Sequence, residues 1–559
     1  GEIYNYLELL DGLEQQGHQF ATKSDTETLV HLYESQGDHM TEALRGMFAF
    51  CIYDQPKGRY FFARDRFGEK PFFYHFKDGV FSYSSELASL LENEAIDRRL
   101  NKEAFHYFLK AGMVPEPLTL FQDIYILPAG HQLVVDQHGV QVHNYFEVDY
   151  QADPGLKTEE DAADYLRPLL EQAVRRQMRS DVPLGAFLSG GIDSSTVVAL
   201  LAKFAPKQVN TFTVRFEDSS YDESPIAREV AAFVGSNHHE ITVPNADFDE
   251  SLFWMIIDHT GVPFTDTSAI PSYLITKEIR KHVTVALSGD GGDELFAGYP
   301  LFQWWSKIHR LKQVPAPLRS MGLQLANLGA KLPAVKNVSL VRQLSKALDV
   351  SFQPSAVIPY QIQELLDDDS ITRMYTNGAM PDYERLKAFW EPAQHWSPLR
   401  QIMYFRLKYN LPLNMLVKVD RMSMANSLEV RAPFLDPDLF EASTRVPDAF
   451  LIKDGVGKHI VRKIMEKDLP DSVFNHPKMG FAIPMHRYQN ENYRNLANRL
   501  IRKDHPLAEL LSMEEIEQLK YVGFVSQKDT AQLSVYKANL RLWALMALFG
   551  WFDHFKVRL

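Results

Sequence analysis

The sequence predicts two unlike folds in series: an α+β part built on antiparallel strands over residues 1–150, then an α/β part built on a parallel sheet, with a helical C-terminal stretch, over residues 151–559. Three observations carry this. Short apolar runs alternating with polar residues crowd the first part, strand–turn–helix–strand grammar follows it, and 559 residues exceed what one hydrophobic core fills.

Taken in order, one short helix is expected over Ile3–Gln16, followed by the runs MFAFCIYD, RYFFARD, PFFYHF and GVFSYSS. Split by Gly, Asp and Lys, these read as strands joined in hairpins. The polar stretch DYQADPGLKTEED, with Pro154 and Gly155, is the expected boundary. Beyond it Thr158–Arg179 has helical apolar spacing, and PLGAFLSGGIDSSTVVALLA followed by VNTFTVRF gives strand, glycine-rich turn, helix, strand. From about Leu301 the pattern is mainly helical, and no internal repeat is evident. The apolar run Leu540–Phe552 contains Arg541 and falls short of the ~20 residues a spanning helix needs. It reads as a buried helix.

Composition narrows the function. A net charge of −13 with no long basic run argues against nucleic acid or an anionic membrane as partner and favours a small-molecule substrate. The single cysteine, Cys51, excludes an intrachain disulfide and a cysteine-based zinc site, and predicts a reducing, cytoplasmic setting. The chain opens with GEIYN, which reads as the middle of a motif, so the expectation is that the beginning of the protein is missing from this sequence.

The strongest local signal is Ser189-Gly190-Gly191-Ile192-Asp193-Ser194-Ser195, between an apolar strand and an apolar helix. Backbone N–H groups at such a turn and the positive end of the following helix cradle phosphate, and Ser189, Ser194 and Ser195 add hydroxyl donors. The spacing is not that of a Walker A loop. It resembles the loop of the ATP pyrophosphatases, which hold the leaving pyrophosphate while substrate attacks the α-phosphate. GMP synthetases, NAD synthetases and tRNA thiolation enzymes carry similar loops, so a second segment has to choose among them. Thr284-Val-Ala-Leu-Ser288-Gly289-Asp290-Gly291-Gly292-Asp293-Glu294 through Gly298-Tyr299 is again a strand and a glycine-rich acidic turn. It resembles the asparagine synthetase family almost residue for residue.

Pyrophosphate leaves readily only when its charge is neutralised, and Mg²⁺ takes one or two carboxylates together with phosphate oxygens. Asp193 and Asp293, one from each turn, are the expected Mg²⁺ ligands. The resemblance implies nucleotide contacts for Ser288 and Gly289, places Leu188 and Val214 around adenine and ribose, and ties Asp290, where some relatives have Glu, to forming an aspartyl-AMP intermediate. Further along, KVDRMSMANSLEVRAPFLD from Lys418, then Gly457-Lys458 and Lys478-Met-Gly480-Phe481, follow the family in order. By that resemblance Lys458 and Lys478 face the phosphates, with Lys478 stabilising charge on the phosphate and the tetrahedral intermediate. Asp420, Arg421 and Arg431 stay open between ion pairs and a role in holding aspartate.

The first part resembles the glutamine-hydrolysing domain of the class II amidotransferases, whose N-terminal cysteine supplies both nucleophile and α-amino base. Cys51, inside MFAFCIYD, reads instead as a packed strand residue. Gly1 and Glu2 fall at glutamine-contacting positions, and Asp25, in SDTE, at the residue that binds the glutamine α-amino group; ALRGMFAF, ARDRFGEKPFFY, SSELASLL and LPAGH continue the likeness. The expectation is a missing start rather than a lost activity. The implied architecture is an α+β glutaminase-type sandwich, incomplete at its beginning, followed by an α/β parallel-sheet ATP pyrophosphatase domain with a helical C-terminal part.

Other signals are read as structural. His238-His239-Glu240 lies on a strand that turns the two histidines to opposite faces, and Trp304 and Trp305 read as helix packing. The implied reaction uses ATP, Mg²⁺, aspartate, and glutamine or ammonia, and many relatives dimerise, so a homodimer is expected. The alternatives are a related amidotransferase acting on another carboxylate and a non-catalytic binding subunit.

Overall fold

The structure, a computed structural model, describes residues 1–559 apart from 217–221, 244–247, 332–338, 354, 356–357, 359–363, 377–387, 476–489 and 530–532. The N-terminal part contains strands β1 (Glu2–Ile3), β2 (Gly46–Met47), β3 (Ala49–Asp54), β4 (Arg59–Arg64), β5 (Phe73–Lys77), β6 (Val80–Ser84), β7 (Ile124–Ile126), β8 (His131–Asp136) and β9 (Gly139–Asn144). All pair antiparallel, in sheets of order β3-β4-β8-β9 and β6-β5-β7, with β1 on β2.

Period-two alternation assigns the faces. Phe61 and Ala63 of β4 pack with Leu13, Leu32, Tyr33 and Met40 from the helical side, while Phe62 between them packs with Phe72, Tyr74, Leu127 and Leu133. The Phe62 ring lies 5.3 Å from that of Phe72 and 5.4 Å from that of Phe81, so side chains of the two sheets interdigitate. Cys51 stands opposite Phe62 in the β3–β4 ladder, half-buried, as a strand residue.

Two details differ from expectation. The first helix spans Tyr6–Gln15 rather than starting at Ile3, because Glu2 and Ile3 pair with Met47 and Gly46. A second helix, Asp25–Gln36, was not expected. Ser24 caps it by accepting the Thr26 N–H at 3.2 Å, and its buried positions Thr28, Leu32 and Tyr33 include a threonine, which weakens the apolar period.

The C-terminal part is built on a five-stranded parallel sheet of β10 (Leu184–Phe187), β11 (Asn210–Phe216), β12 (Asn237–Val243), β13 (Val285–Leu287) and β14 (Glu429–Arg431), in spatial order β12-β11-β10-β13-β14. From β10 the chain first adds β11 and β12 on one side, then β13 and β14 on the other. The reversal lies between β10 and β13, and in such sheets a ligand crevice opens outside the carboxyl ends of the strands at that point. From Pro300 onward helices dominate the described chain. Trp305 is buried in one of them, 5.8 Å from the Trp390 ring.

The helix Val535–His554 holds the apolar C-terminal run and is buried along most of its length. Its Arg541 is accommodated by donating to the Leu365 carbonyl at 2.9 Å, the Ser370 hydroxyl at 3.2 Å and Asp367 at 3.1 Å. No helix among the described residues is long and apolar enough to cross a membrane. One hydrophobic core runs through both parts, with Phe67, Phe73 and Phe105 joining Leu188, Phe253 and Trp543.

Candidate active site

β10 and β13 are neighbours, with Leu184, Gly185 and Ala186 opposite Val285, Ala286 and Leu287, so the turns SGGIDSS and SGDGGDE leave the sheet side by side. Their glycines permit the approach. A Cβ on Gly289 would stand 2.8 Å from Asp193 Cβ and from the Ser194 nitrogen, and one on Gly292 2.7 Å from Asp193 Cγ. Gly190 adopts φ +83°, open to glycine and costly for other residues.

A cleft of ≈ 880 Å³ opens over both turns. Leu188, Ser189, Gly190, Gly191, Asp193, Ser194, Val214, Ser288, Gly289, Asp290, Asp293 and Lys458 all line it. Leu188 and Val214, with Phe212 and Ile275, form an apolar wall. At the start of the helix Ile192–Phe204, the Ser189 N–H donates to Ser194 Oγ at 3.1 Å, so the turn's hydroxyls are held by the turn itself. Ser195 is fully buried one position on and is not in the lining. Lys478, with Gly480 and Phe481, lies outside the described residues.

Lys458 carries the electrostatics of the floor. Its ammonium pairs with Asp193 and, at 2.7 Å, with Asp293. Its own φ is +57°, and its N–H donates to the Phe296 carbonyl at 2.9 Å, which fixes the turn that aims the side chain. Burial alone would depress the Lys458 ammonium, but the two carboxylates raise its pKa above the ordinary value. A Cβ on Gly298 would collide with Asp293 and Lys458, so that position also serves the pair. Two carboxylates reaching one ammonium can also reach one metal ion, and an all-oxygen donor set suits Mg²⁺.

Asp290 accepts from Ser288 Oγ at 2.8 Å. Burial raises its pKa, against the hydrogen bond from Ser288 and the charge of Lys418. Lys418 donates to Asp266 at 3.2 Å and to Ser268 Oγ at 2.9 Å on the same wall. Asp266, Arg406 and Arg462 also line the cleft and were not singled out from the sequence. Lys418 stood within a quoted motif, a usable signal; Asp266 stands in no motif.

The N-terminal part gathers Gly1, Glu2 and Asp25. Asp25 accepts the Ile3 N–H at 3.1 Å, and the Glu2 pKa is raised by burial, then by Glu429 and Asp25, against Arg431. Asp420, Arg421 and Arg431 form ion pairs across the junction of the two parts: Asp420 with Lys70 at 2.7 Å, Arg421 with Glu86 at 2.8 Å, and Arg431 with Glu2 at 3.7 Å. A small cavity of ≈ 80 Å³ sits at this junction, lined among others by Glu69, Met113, Val114, Val417 and Arg421. On β12, His238 meets Thr211 Oγ1 at 3.0 Å while His239 stacks on Phe212, each on its own face.

Residues 1–146 match the glutamine amidotransferase domain family, and residues 165–550 match the asparagine synthase family. The chain is 34% identical over 504 residues to asparagine synthetase [glutamine-hydrolyzing] 1 of Bacillus subtilis, covering 89% of this chain and 77% of that one. It is 27% identical over 576 residues to asparagine synthetase [glutamine-hydrolyzing] 3 of the same organism, covering 100% of this chain and 87% of that one. With a glutamine amidotransferase domain ahead of a parallel-sheet synthase domain, and this likeness over nearly its whole length, the chain belongs to the asparagine synthetase family of ligases.

Proposed function

We propose that the chain converts aspartate to asparagine with ATP, through aspartyl-AMP, with ammonia as the nitrogen nucleophile, which the glutamine amidotransferase part of such synthetases draws from glutamine. The observation that carries this is the convergence of Asp193, Asp293 and Lys458 on the floor of a cleft whose wall, Leu188 and Val214, offers an apolar bed for a base. In this reading the amides and hydroxyls of Ser189–Ser194 hold pyrophosphate, and Asp193 and Asp293 hold Mg²⁺, which supplies neutralisation of the leaving charge when bound. Lys458 then turns from the carboxylates to the phosphates, with Lys478 as the second cation.

A side-chain oxygen of aspartate attacks the α-phosphorus, and the bond from that phosphorus to the bridging oxygen of pyrophosphate breaks. Ammonia next attacks the acyl carbon, loses a proton, and the carbon–oxygen bond to AMP breaks, leaving asparagine. In this reading Asp290, part-buried beside Lys418, orients the attacking groups and accepts that proton. The junction cavity supports an interior route for ammonia, which in water would be protonated and lose its lone pair.

The test is pyrophosphate release with Mg-ATP and ammonium, comparing aspartate with other acids, and with ¹⁸O in the aspartate carboxylate. Release that requires aspartate, and transfer of one ¹⁸O to AMP, are expected. Release without label in AMP removes the aspartyl-AMP step, and release driven only by another acid removes aspartate as substrate.

A further inference from the structure

Away from the cleft, on the outer face of the N-terminal part, three side chains bring three donor atoms to within 3.6 Å of one another. His18 follows the helix Tyr6–Gln15, and His31 and Glu34 sit one turn apart on the helix Asp25–Gln36. His18 Nδ1 lies 3.2 Å from His31 Nδ1; Glu34 Oε2 lies 3.1 Å from His31 Nδ1 and 3.6 Å from His18 Nδ1. Each imidazole nitrogen carries at most one proton. With both Nδ1 atoms protonated, two N–H groups oppose each other across the 3.2 Å contact. With Glu34 ionised, a proton on His31 Nδ1 alone serves the 3.2 Å and 3.1 Å contacts but leaves the 3.6 Å edge between His18 and Glu34 as lone pair against lone pair, and a proton on His18 Nδ1 alone, or none, leaves a closer edge so.

A cation at the centre resolves the triangle. Zn²⁺ binds imidazole nitrogen and carboxylate oxygen at about 2.0–2.2 Å in tetrahedral geometry, which sets neighbouring donors roughly 3.3 Å apart. The three observed edges bracket that value. The other nitrogen of His31, Nε2, faces Glu27 Oε1 at 3.8 Å, the side on which a carboxylate keeps the proton on Nε2 and leaves Nδ1 bare for a metal. Glu27 also accepts the Ala21 N–H at 2.7 Å and the Thr22 N–H at 2.6 Å, so the residue that would orient the ligand also ties down the turn between the two helices. The Phe20 ring stands edge-on to His31, 4.4 Å away, and the side chains of His18 and His31 are 20% and 18% exposed. His18, His31 and Glu34 form the one such group of three metal-capable side chains among the described residues.

We propose that His18, His31 and Glu34 bind a zinc-class divalent cation, with a fourth position open to water, and that the ion fastens the turn 17–24 to the helix that begins with Asp25. Nothing in this rests on the synthetase reaction.

The test is Zn²⁺ uptake by the full chain in excess Mg²⁺, which occupies oxygen-donor sites but binds imidazole weakly, measured by competition with a chromophoric chelator and paralleled by the visible absorption of bound Co²⁺. The wild-type chain is expected to bind Zn²⁺ saturably and to give four-coordinate Co²⁺ bands. His31→Gln and the double change His18→Gln with His31→Gln are expected to lose both signals, and Glu27→Gln to weaken binding by about 10-fold. Glu34→Gln, at an exposed position where folding is not at stake, is expected to lose the four-coordinate spectrum. Uptake and spectra unchanged in the double variant, in Glu34→Gln, or absent from the folded wild-type chain overturn the proposal.

Discussion

Lys458 lies 2.7 Å from Asp293 while also pairing with Asp193, so one ammonium bridges carboxylates from two different turns of the sheet. Replacing it by Lys458→Met removes the cation that bridges the two carboxylates. Unpairing buried charges costs about 3 kcal/mol or more, so the metal-free variant is expected to unfold at clearly lower urea, with Mg²⁺ restoring part of the loss. On the proposed role of Lys458 toward the phosphates, pyrophosphate release should fall by roughly 100-fold. A variant whose urea midpoint ignores Mg²⁺ speaks against a shared cation site.

Gly289→Ala puts a Cβ 2.8 Å from Asp193 Cβ and the Ser194 nitrogen, the second of which is backbone and cannot yield cheaply. The two turns would have to separate. Displacement of reacting groups by about 1 Å can cost 10²-fold, so kcat/KM for ATP should drop on that order. Gly12→Ala, where an added Cβ meets nothing within 4 Å, is the control and should be silent.

The pH profile should carry the mark of Asp290. Burial raises its pKa above the usual 3.8, so on acidification it takes up its proton earlier than a solvated aspartate. With the carboxylate as the working form, activity is present above the raised value and is lost as pH falls through it. The acid limb of kcat/KM for aspartate, measured with ammonium, is therefore expected above pH 3.8. Asp290→Asn should lose activity at all pH, and Asp290→Glu should keep more of it.

Lys70→Met removes the partner of Asp420, whose side chain is 11% exposed. About 3 kcal/mol of destabilisation is expected from the stranded charge. Because the pair joins the two parts beside the junction cavity, the urea midpoint should fall accordingly, and an unchanged midpoint means that the pair contributes nothing to holding the two parts together.

Asp367 gives an acid-stability prediction. Burial opposes its charge, but Ser370 and Arg541 hold it down to about 2, below the ordinary 3.8. A depressed carboxylate contributes stability that is present above its unfolded value and lost as pH falls through the folded one, here from about 4 to about 2. The thermal midpoint of the wild-type chain should fall more steeply across that window than that of Asp367→Asn.

The two glycine-rich turns could be read from sequence because their demands are local: a strand, a close approach that only glycine allows, a helix start and a carboxylate. Cys51 was equally legible, since alternation in MFAFCIYD already placed it in a strand. Asp266 was not, because it stands in no motif and a contact between residues far apart along the chain, here with Lys418, leaves no trace at its position. The helix Asp25–Gln36 escaped for a different reason, as its inward face uses a threonine and its cap lies inside a motif first read as ligand-binding. Asp420 and Arg421 were seen as charged residues needing partners, but the partners, Lys70 and Glu86, come from the other part.

Those junction pairs constrain how such a chain can change over generations. A lineage that ceased to need glutamine could not simply discard the N-terminal part, because Asp420 and Arg421 would be left facing solvent or one another without Lys70 and Glu86, and the shared apolar core would be laid open. Chemistry can be silenced one residue at a time while the scaffold persists. Descendants that have abandoned the first reaction should therefore still carry its body, and their dormant half should be recognisable by the charges it continues to lend its neighbour.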